Sequence, residues 1–545
     1  MTTIGTPQRP LRVAIIGSGP AGSYAAGQLL AREEPRVEVD MFDRLPTPWG
    51  LVRAGVAPDH PKIKSVTRVF ERTARKPGFR FHGNVEVGTD VTHEQLAAAY
   101  DAVLYAVGTP DDRRLHIPGE DLPGSHSATD FVAWYNGHPD YADLEFDLSA
   151  ERVVVVGNGN VALDVARMLV LSADELAVTD IADHALAALR ESSVREVVVL
   201  GRRGPAQAAF TNPELRELAE LELADVIVDP REIALDPAGE AALADADLTT
   251  KQNVETLRAY AAAATEGVGD GDGASGAKGG AGDVGGNEAG TPGDAGDAGG
   301  DEAGAGAMHA KPRRVVLRFL TSPVAIEGDG AVERVVLARN ELVVADDGSV
   351  RARQTDAREQ IDAGLVFRSV GYVGRPLPGV PFDPRRGTLL NDDGRVLDEA
   401  TGEPLPGIYA AGWAKRGPSG VIGTNKKCAQ ETTDRLLADF AAGLLPEPTA
   451  SREDLLARLR ADRHVVDYGG WEAIDEHERA LGEAGGRPRV KLVQRVQMLH
   501  HASRAQGAAG AAGAAGADDG SQGAGARAAG AGDASAAVDA SQPVG

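Results

Sequence analysis

Arg202 and Arg203 stand side by side just after the apolar run Val197–Leu200 and Gly201. Paired guanidiniums present planar N–H forks that match phosphate oxygens, and charge strengthens each hydrogen bond. Asp43 closes a similar run, Val37–Phe42. A carboxylate at such a strand end can accept hydrogen bonds from ribose hydroxyls. By composition alone, paired arginines are a solvated turn. What precedes them decides whether they do chemistry.

Each strand end follows a glycine loop. The run Leu11–Ile16 enters "GSGPAG", with Gly17, Gly19 and Gly22 at G-x-G-x-x-G spacing; a helix is expected from Ser23 to about Arg32, then the strand that ends at Asp43. Gly17 permits the tight turn, Gly19 lets backbone approach a pyrophosphate, and Gly22 lets helix and strand pack closely. The helix N-terminus offers unpaired amides and a positive dipole end to the phosphates. A second loop follows Arg152, with Gly157, Gly159 and Ala162 at the same spacing. Its next strand is delayed by an apparent insertion, Ser172–Ser193, and ends at Arg202-Arg203 rather than at an acid. An acid there would repel a ribose 2′-phosphate, whereas two arginines would hold it. The first loop therefore fits an adenine dinucleotide with a free ribose, FAD being preferred, and the second fits NADP(H).

These loops need sheets to carry them. "YDAVLYAVG" (100–108), "GLVFRSVG" (364–371) and "GIYAAG" (407–412) read as further short strands ending in glycine. The last two lie beyond the second loop, so they are expected to return the chain to the first sheet. The fold class is α/β, with two Rossmann-like dinucleotide-binding domains. The NADP-binding domain, 110–325, interrupts an FAD-binding domain made of 1–109 and 326–500.

The 545 residues suit two or three domains. No apolar run spans a bilayer, and the first lacks a signal-peptide cleavage site, so a soluble cytoplasmic protein is expected. Cys428 is the only cysteine, which excludes an internal disulfide, a CxxC redox pair and a Cys-ligated iron–sulfur cluster. Redox chemistry would then come from an organic cofactor, and no metal site is expected. The formal charge of −25 argues against nucleic-acid binding. Part of it sits in residues 266–307, where nine acids face Lys278 alone among Gly and Ala. That insert and the Gly/Ala tail, 501–545, have too little apolar surface to fold and are expected to be disordered.

The chain resembles the adrenodoxin-reductase-like family of ferredoxin–NADP reductases over about 11–265 and 312–495. The runs "LPTPWGLVRAGVAPDHPKIK", "GNGNVALDVARML", "GRRGPAQAAFTNPELREL" and "WAKRGPSGVIGTNKK" carry the likeness. It implies a glutathione-reductase-like, three-layer architecture and an enzyme that passes electrons from NADPH through FAD to a ferredoxin. It implies FAD contacts at Ala21, Asp43, Leu51, Val87 and Trp413, and at the backbone of Gly420, Val421 and Ile422. NADP contacts are implied at Arg113, Asn160, Val161, Ala162, Leu163, Arg202, Arg203, Glu214 and Gly420. Asp43 stands where relatives carry Glu, and Trp413 where the wider flavoprotein class carries an acid. His60 and Glu217 match residues near the reacting rings, where a water-linked proton relay is implied. A helix starting near Gly423 would set its positive end beneath the flavin.

An acidic ferredoxin needs a basic docking face, and Arg53, Lys62, Lys64, Arg68, Arg72, Arg75 and Lys76 form the candidate. A monomer or weak dimer is expected. Cys428 reads as a packing residue. A flavin-dependent NADPH monooxygenase, a diaphorase with another acceptor, and a non-catalytic NADP sensor remain as alternatives. A disulfide reductase does not, because it needs a second cysteine.

Overall fold

Runs of Val, Ile and Leu buried on both faces belong in parallel sheets covered on both sides, and two such sheets form. The computed structural model describes residues 4–235, 237–266, 311–346 and 349–504. All of the acidic insert after Glu266, and the tail from 505, lie outside the described residues.

The first sheet has seven strands, in the order Asn391–Asp392, Arg395–Leu397, Pro404–Ala410, Ala102–Tyr105, Leu11–Ile16, Val37–Asp43 and Phe79–Gly83. From Pro404–Ala410 onward the pairs are parallel, with Ile15 opposite Met41 on one side and Leu104 on the other. The helices Pro20–Leu29 and Ile422–Ala441 cover one face, where Ala25, Ala26, Leu29, Ala429 and Leu436 are buried.

The second sheet has six strands, all in parallel pairs, in the order Ser125–Ser127, Leu365–Arg368, Arg152–Val156, Glu196–Leu200, Arg313–Arg318 and Ala224–Val228. On one face lies the helix Asn160–Val170, with Leu163, Ala166 and Leu169 in the core. On the other lies an antiparallel meander, Thr321–Glu327, Arg334–Val344 and Val350–Asp362, whose Ile326, Val335 and Leu337 meet Val154, Val198 and Val366. The insertion at 172–193 forms the helices Ala173–Ala177 and Asp183–Arg190.

Two expectations are corrected. Leu365–Arg368 does not return to the first sheet; it pairs in parallel with Arg152–Val156 in the second, next to the glycine loop. Parallel strands of either sheet share one all-buried pattern, so the pattern alone assigns no sheet. The folded body also continues past 500. Residues 495–504 are helical, and Met498 and Ala502 are buried in a cluster with Trp49, Phe70 and Trp471.

The segment 487–495 crosses between the two sheet units. Arg487 donates to Thr179 O at 3.0 Å, Lys491 to Asn136 Oδ1 at 3.1 Å and Arg53 O at 3.2 Å, and Arg495 to Arg44 O at 2.8 Å and Asp140 at 2.7 Å. Burial pushes the Lys491 ammonium well below its usual range, opposed by Asp180 at 3.3 Å. Asp180 is buried too, but Lys491 and Lys64 hold its pKa down at about 2.

Candidate active site

Both glycine loops leave the carboxyl ends of central strands, where open α/β sheets bind their ligands. In the first, a Cβ on Gly22 would lie 2.1 Å from Gly17 O, whereas one on Gly19 would meet nothing closer than Gly50 Cα at 4.0 Å. In the second, Gly157 has φ +129° and a Cβ there would lie 2.0 Å from Ser369 O, while Gly159 has nothing within 4 Å. The outer glycines are thus fixed by close packing, and the middle ones face open space suited to a phosphate. The helices begin at Pro20 and Asn160 with these middle glycines as N-caps, so their first amides have no intrahelical acceptor.

Asp43 also braces the first loop. Its Oδ2 accepts from Ser18 N at 2.9 Å and from Ser18 Oγ, and its Oδ1 accepts from Leu45 N at 2.9 Å. A carboxylate has further lone-pair sites for a ribose hydroxyl. Ser18, fully buried, occupies a variable position of the motif and gives no sequence signal. Leu51 is exposed at the start of a short helix after Gly50, and Val87 is buried in the loop after Phe79–Gly83. Trp413 begins a short helix after Gly412, and a Cβ on Gly412 would lie 2.5 Å from Ala21 Cβ, so Trp413 adjoins the first glycine helix. Gly420 has φ +78°, Val421 is exposed, and Ile422 opens the long helix. Cys428 is buried, its Sγ accepting from Gly412 N at 3.2 Å, as expected of a packing residue.

At the second loop, the carbonyls of Arg202 and Arg203 are tied down by Asn340 Nδ2 at 2.8 Å and Leu320 N at 3.1 Å. Their side chains, and that of Arg113, have no carboxylate partner among the described residues, although arginines elsewhere in the chain are widely ion-paired. Arg113 is placed by its N–H to Gly371 O at 2.9 Å, just beyond Ser369, which closes on Gly157. Asn160 Oδ1 accepts from Thr211 N at 2.7 Å, drawing the helix Asn212–Glu217 and its Glu214 toward the loop. Val161 is half-buried, and the side chains of Ala162 and Leu163 are in the core, so a ligand would meet their backbone.

The units touch at His60. His60 Nε2 lies 2.8 Å from Glu217 Oε2, a direct contact that needs no bridging water. Arg167 donates to Glu217 Oε2 at 2.9 Å and forks onto Asp59 at 2.9 and 3.1 Å. Asp164 Oδ1 lies 3.2 Å from Arg167, close enough for attraction but misaligned for a hydrogen bond. Burial raises the Asp164 pKa to about 6, against the pull of Arg167 and His60. Trp413 Nε1, the Tyr135 hydroxyl, Asp164 Oδ1 and Glu214 Oε2 are all buried without a hydrogen-bond partner among the described residues. The Tyr372 ring lies 5.4 Å from that of Trp413, tilted by 36°, and burial raises the Tyr372 pKa to about 12, with Asp164 adding to the rise. Orphaned polar atoms on both sides of one junction, and two open glycine cradles, fit a pair of dinucleotides meeting there.

Asp164 yields a pH test. A carboxyl whose folded pKa lies above its unfolded value gives its full stabilisation below the unfolded value, and loses it as pH rises through the folded one. Asp164→Asn is therefore expected to stabilise the protein at pH 7 by about 3 kcal/mol, with the gain shrinking toward pH 4. Urea midpoints of the FAD-loaded protein at both pH values check this; an equal gain at both would mean that Asp164 is not the titrating group.

Residues 11–199 match the pyridine nucleotide-disulphide oxidoreductase family. The chain is 48% identical over 502 residues to NADPH-ferredoxin reductase FprA of Mycobacterium leprae, covering 90% of this chain and 98% of that one. It is 38% identical to the mitochondrial NADPH:adrenodoxin oxidoreductase of Arabidopsis thaliana, covering 91% and 96%. The structure of Mycobacterium tuberculosis FprA in complex with NADPH aligns with a TM-score of 0.77 at 47% identity, covering 91% of this chain and 100% of that one. With this likeness in sequence and fold, the chain belongs to the adrenodoxin-reductase-like ferredoxin–NADP reductases.

Proposed function

We infer that this chain is an NADPH–ferredoxin oxidoreductase with FAD at the first glycine loop and NADP(H) at the second. The observation that carries this reading is its kinship, over nearly the full length, with NADPH-ferredoxin reductases. When bound, FAD would supply the redox chemistry that links a hydride donor to a one-electron carrier.

The chain's own residues bind and orient. Gly19 and the amides after it cradle the FAD pyrophosphate, and Asp43 accepts from the ribose. Ala21, Leu51, Val87 and Trp413 flank this cofactor, while the N-terminus of Ile422–Ala441 favours negative charge beside it. Arg202 and Arg203 hold the 2′-phosphate, Arg113 contacts the same dinucleotide, and Gly159 and Asn160 bring backbone to the second pyrophosphate. His60 and Glu217 are assigned as the proton-holding pair at the junction. The sheet membership of Leu365–Arg368 argues for extending the NADP-binding unit from 110 to 368 rather than to 325. A single cysteine suits a reducing cytoplasm, and among the described residues no helix is long and apolar enough to cross a membrane. We take the enzyme as a monomer or weak dimer.

The docking face expected from sequence needs revision. Arg53 is bound to the buried Glu478, Lys64 to Asp180, and Arg75 to Glu472. Lys62, Arg68 and Arg72 remain exposed, and Lys76 half-buried, without an ion pair among the described residues, beside the partly exposed Ile63 and Val69. We assign the acidic carrier to this smaller face. Salt screens such an encounter, with a Debye length of about 10 Å at 0.1 M, but does not reach hydride transfer inside the protein. Raising salt, or replacing Lys62, Arg68 and Arg72 by Glu together, is expected to slow ferredoxin reduction and spare a neutral dye. Equal responses of the two acceptors in steady-state assays would remove this face from the proposal.

A further inference from the structure

Arg167 is an ionic side chain in an otherwise apolar stretch. Its neighbours Val165, Ala166, Met168, Leu169 and Val170 are fully buried in the second core, and Arg167 itself is 2% exposed. Burying a guanidinium is costly unless its donors are used. Three of its five N–H donors are used here, and every nitrogen carries one bond. The Nε and one terminal nitrogen fork onto both oxygens of Asp59, and the other terminal nitrogen reaches Glu217 Oε2.

These partners belong to different parts of the chain. Arg167 sits on the helix of the second glycine loop, Glu217 on the helix Asn212–Glu217, and Asp59 in the loop before Pro61, which follows strands of the first sheet. Asp59 is the residue next to His60. Arg167 and His60 also share one acceptor, Glu217 Oε2, at 2.9 and 2.8 Å. Glu217 is 37% exposed at its side chain, so without a second donor its carboxylate is free to turn toward water. The guanidinium closes a triangle, holding Glu217 directly and the backbone turn of His60 through Asp59.

We propose that Arg167 is the positioning residue of the reaction centre, setting the His60–Glu217 contact and fixing the FAD-side loop in register with the NADP-side helices. This rests on the assignment of His60 and Glu217 made above. Two separate fixations come from one side chain. A bidentate fork resists rotation of Asp59, which a single point charge does not. A shared acceptor holds Glu217 where the imidazole meets it. Asp164, Glu214, Tyr135 and Tyr372 are the other titratable groups around the cluster. Arg167 is the guanidinium that offsets the surrounding carboxylates of Asp59, Asp164 and Glu217.

The experiment is stopped-flow reduction of the FAD-loaded protein by NADPH across pH, in wild type, Arg167→Lys, Arg167→Met, Asp59→Asn, Glu217→Gln and the Arg167→Met/Glu217→Gln double variant. Misplacement by about 1 Å can cost ~10²-fold in rate. Arg167→Met is expected to slow flavin reduction by that order with the NADPH dissociation constant changed less than about threefold. Its pH profile should depart from that of wild type, and the double variant should be no slower than the worse single one, as for residues acting as a unit. Arg167→Lys should recover part of the rate, and Asp59→Asn should lose part of it. If Arg167→Met fails to retain FAD, the lysine and Asp59→Asn variants carry the same comparison. Wild-type rates and pH profiles in the Arg167 and Asp59 variants, alongside an altered Glu217→Gln, would overturn the positioning role. Full additivity in the double variant would do the same. A wild-type profile for Glu217→Gln itself would instead remove the His60–Glu217 assignment beneath it.

Discussion

Replacing Arg202 and Arg203 together by alanine is expected to cut kcat/KM for NADPH by about 10²-fold and leave kcat/KM for NADH nearly unchanged. A hydrogen bond to a charged group contributes about 1.5–3 kcal/mol. Arg202 is exposed and Arg203 half-buried, so solvent screening places each near the lower end. Two such contacts still amount to about two decades in rate. The loss should fall mainly on KM, because a 2′-phosphate far from the nicotinamide is bound equally in ground and transition states. The main chain beneath both arginines is held by Asn340 and Leu320, so the loop should survive the change. Equal losses with the two nucleotides, measured by steady-state dye reduction, would mean that these arginines shape the loop and do not read the phosphate.

Gly22→Ala is expected to yield protein without FAD. The added Cβ would lie 2.1 Å from Gly17 O and 3.2 Å from an Ile15 methyl. Neither neighbour can yield easily: Gly17 N donates to Phe42 O at 2.8 Å, and a Cβ on Gly17 would itself collide with Ala106 O at 2.5 Å. The helix Pro20–Leu29 would have to move away from its strand, taking the phosphate-binding amides with it. Gly469→Ala is the control, since its Cβ would meet only Asp467 Oδ1 at 3.6 Å. The ratio of flavin to protein absorbance in the purified variants checks this. Full FAD occupancy in Gly22→Ala would show that the loop has slack the packing does not reveal.

The parts of the site that follow from short-range rules were legible in the sequence. The glycine spacing, the acid at one strand end and the arginines at the other are local patterns with local causes, and the folded chain presents open space above Gly19 and Gly159 as those rules require. Long-range pairing was not legible. Arg53 and Lys64 look like surface charges in a basic stretch, yet their partners Glu478 and Asp180 lie 425 and 116 residues away. Leu365–Arg368 carries a pattern both sheets share, so its place depends on which neighbour it meets. Arg167 had a weak signal: an arginine inside a run of small and apolar helix residues. On a helix at a domain surface that same pattern marks a side chain extending to water. Its distant partners, Asp59 108 residues away and Glu217 50 residues away, show that it points inward.

On this reading NADPH reduces a flavin held by this chain, and the electrons leave singly to a ferredoxin. The most direct measurement is the visible spectrum of the FAD-loaded protein without oxygen, first with one equivalent of NADPH and then with excess oxidised ferredoxin. Bleaching of the flavin band by NADPH but only slowly by NADH, followed by its return as the ferredoxin spectrum becomes that of the reduced form, is the expected result. A flavin band that NADPH leaves unchanged, or a bleached flavin that ferredoxin does not reoxidise, would contradict the claim.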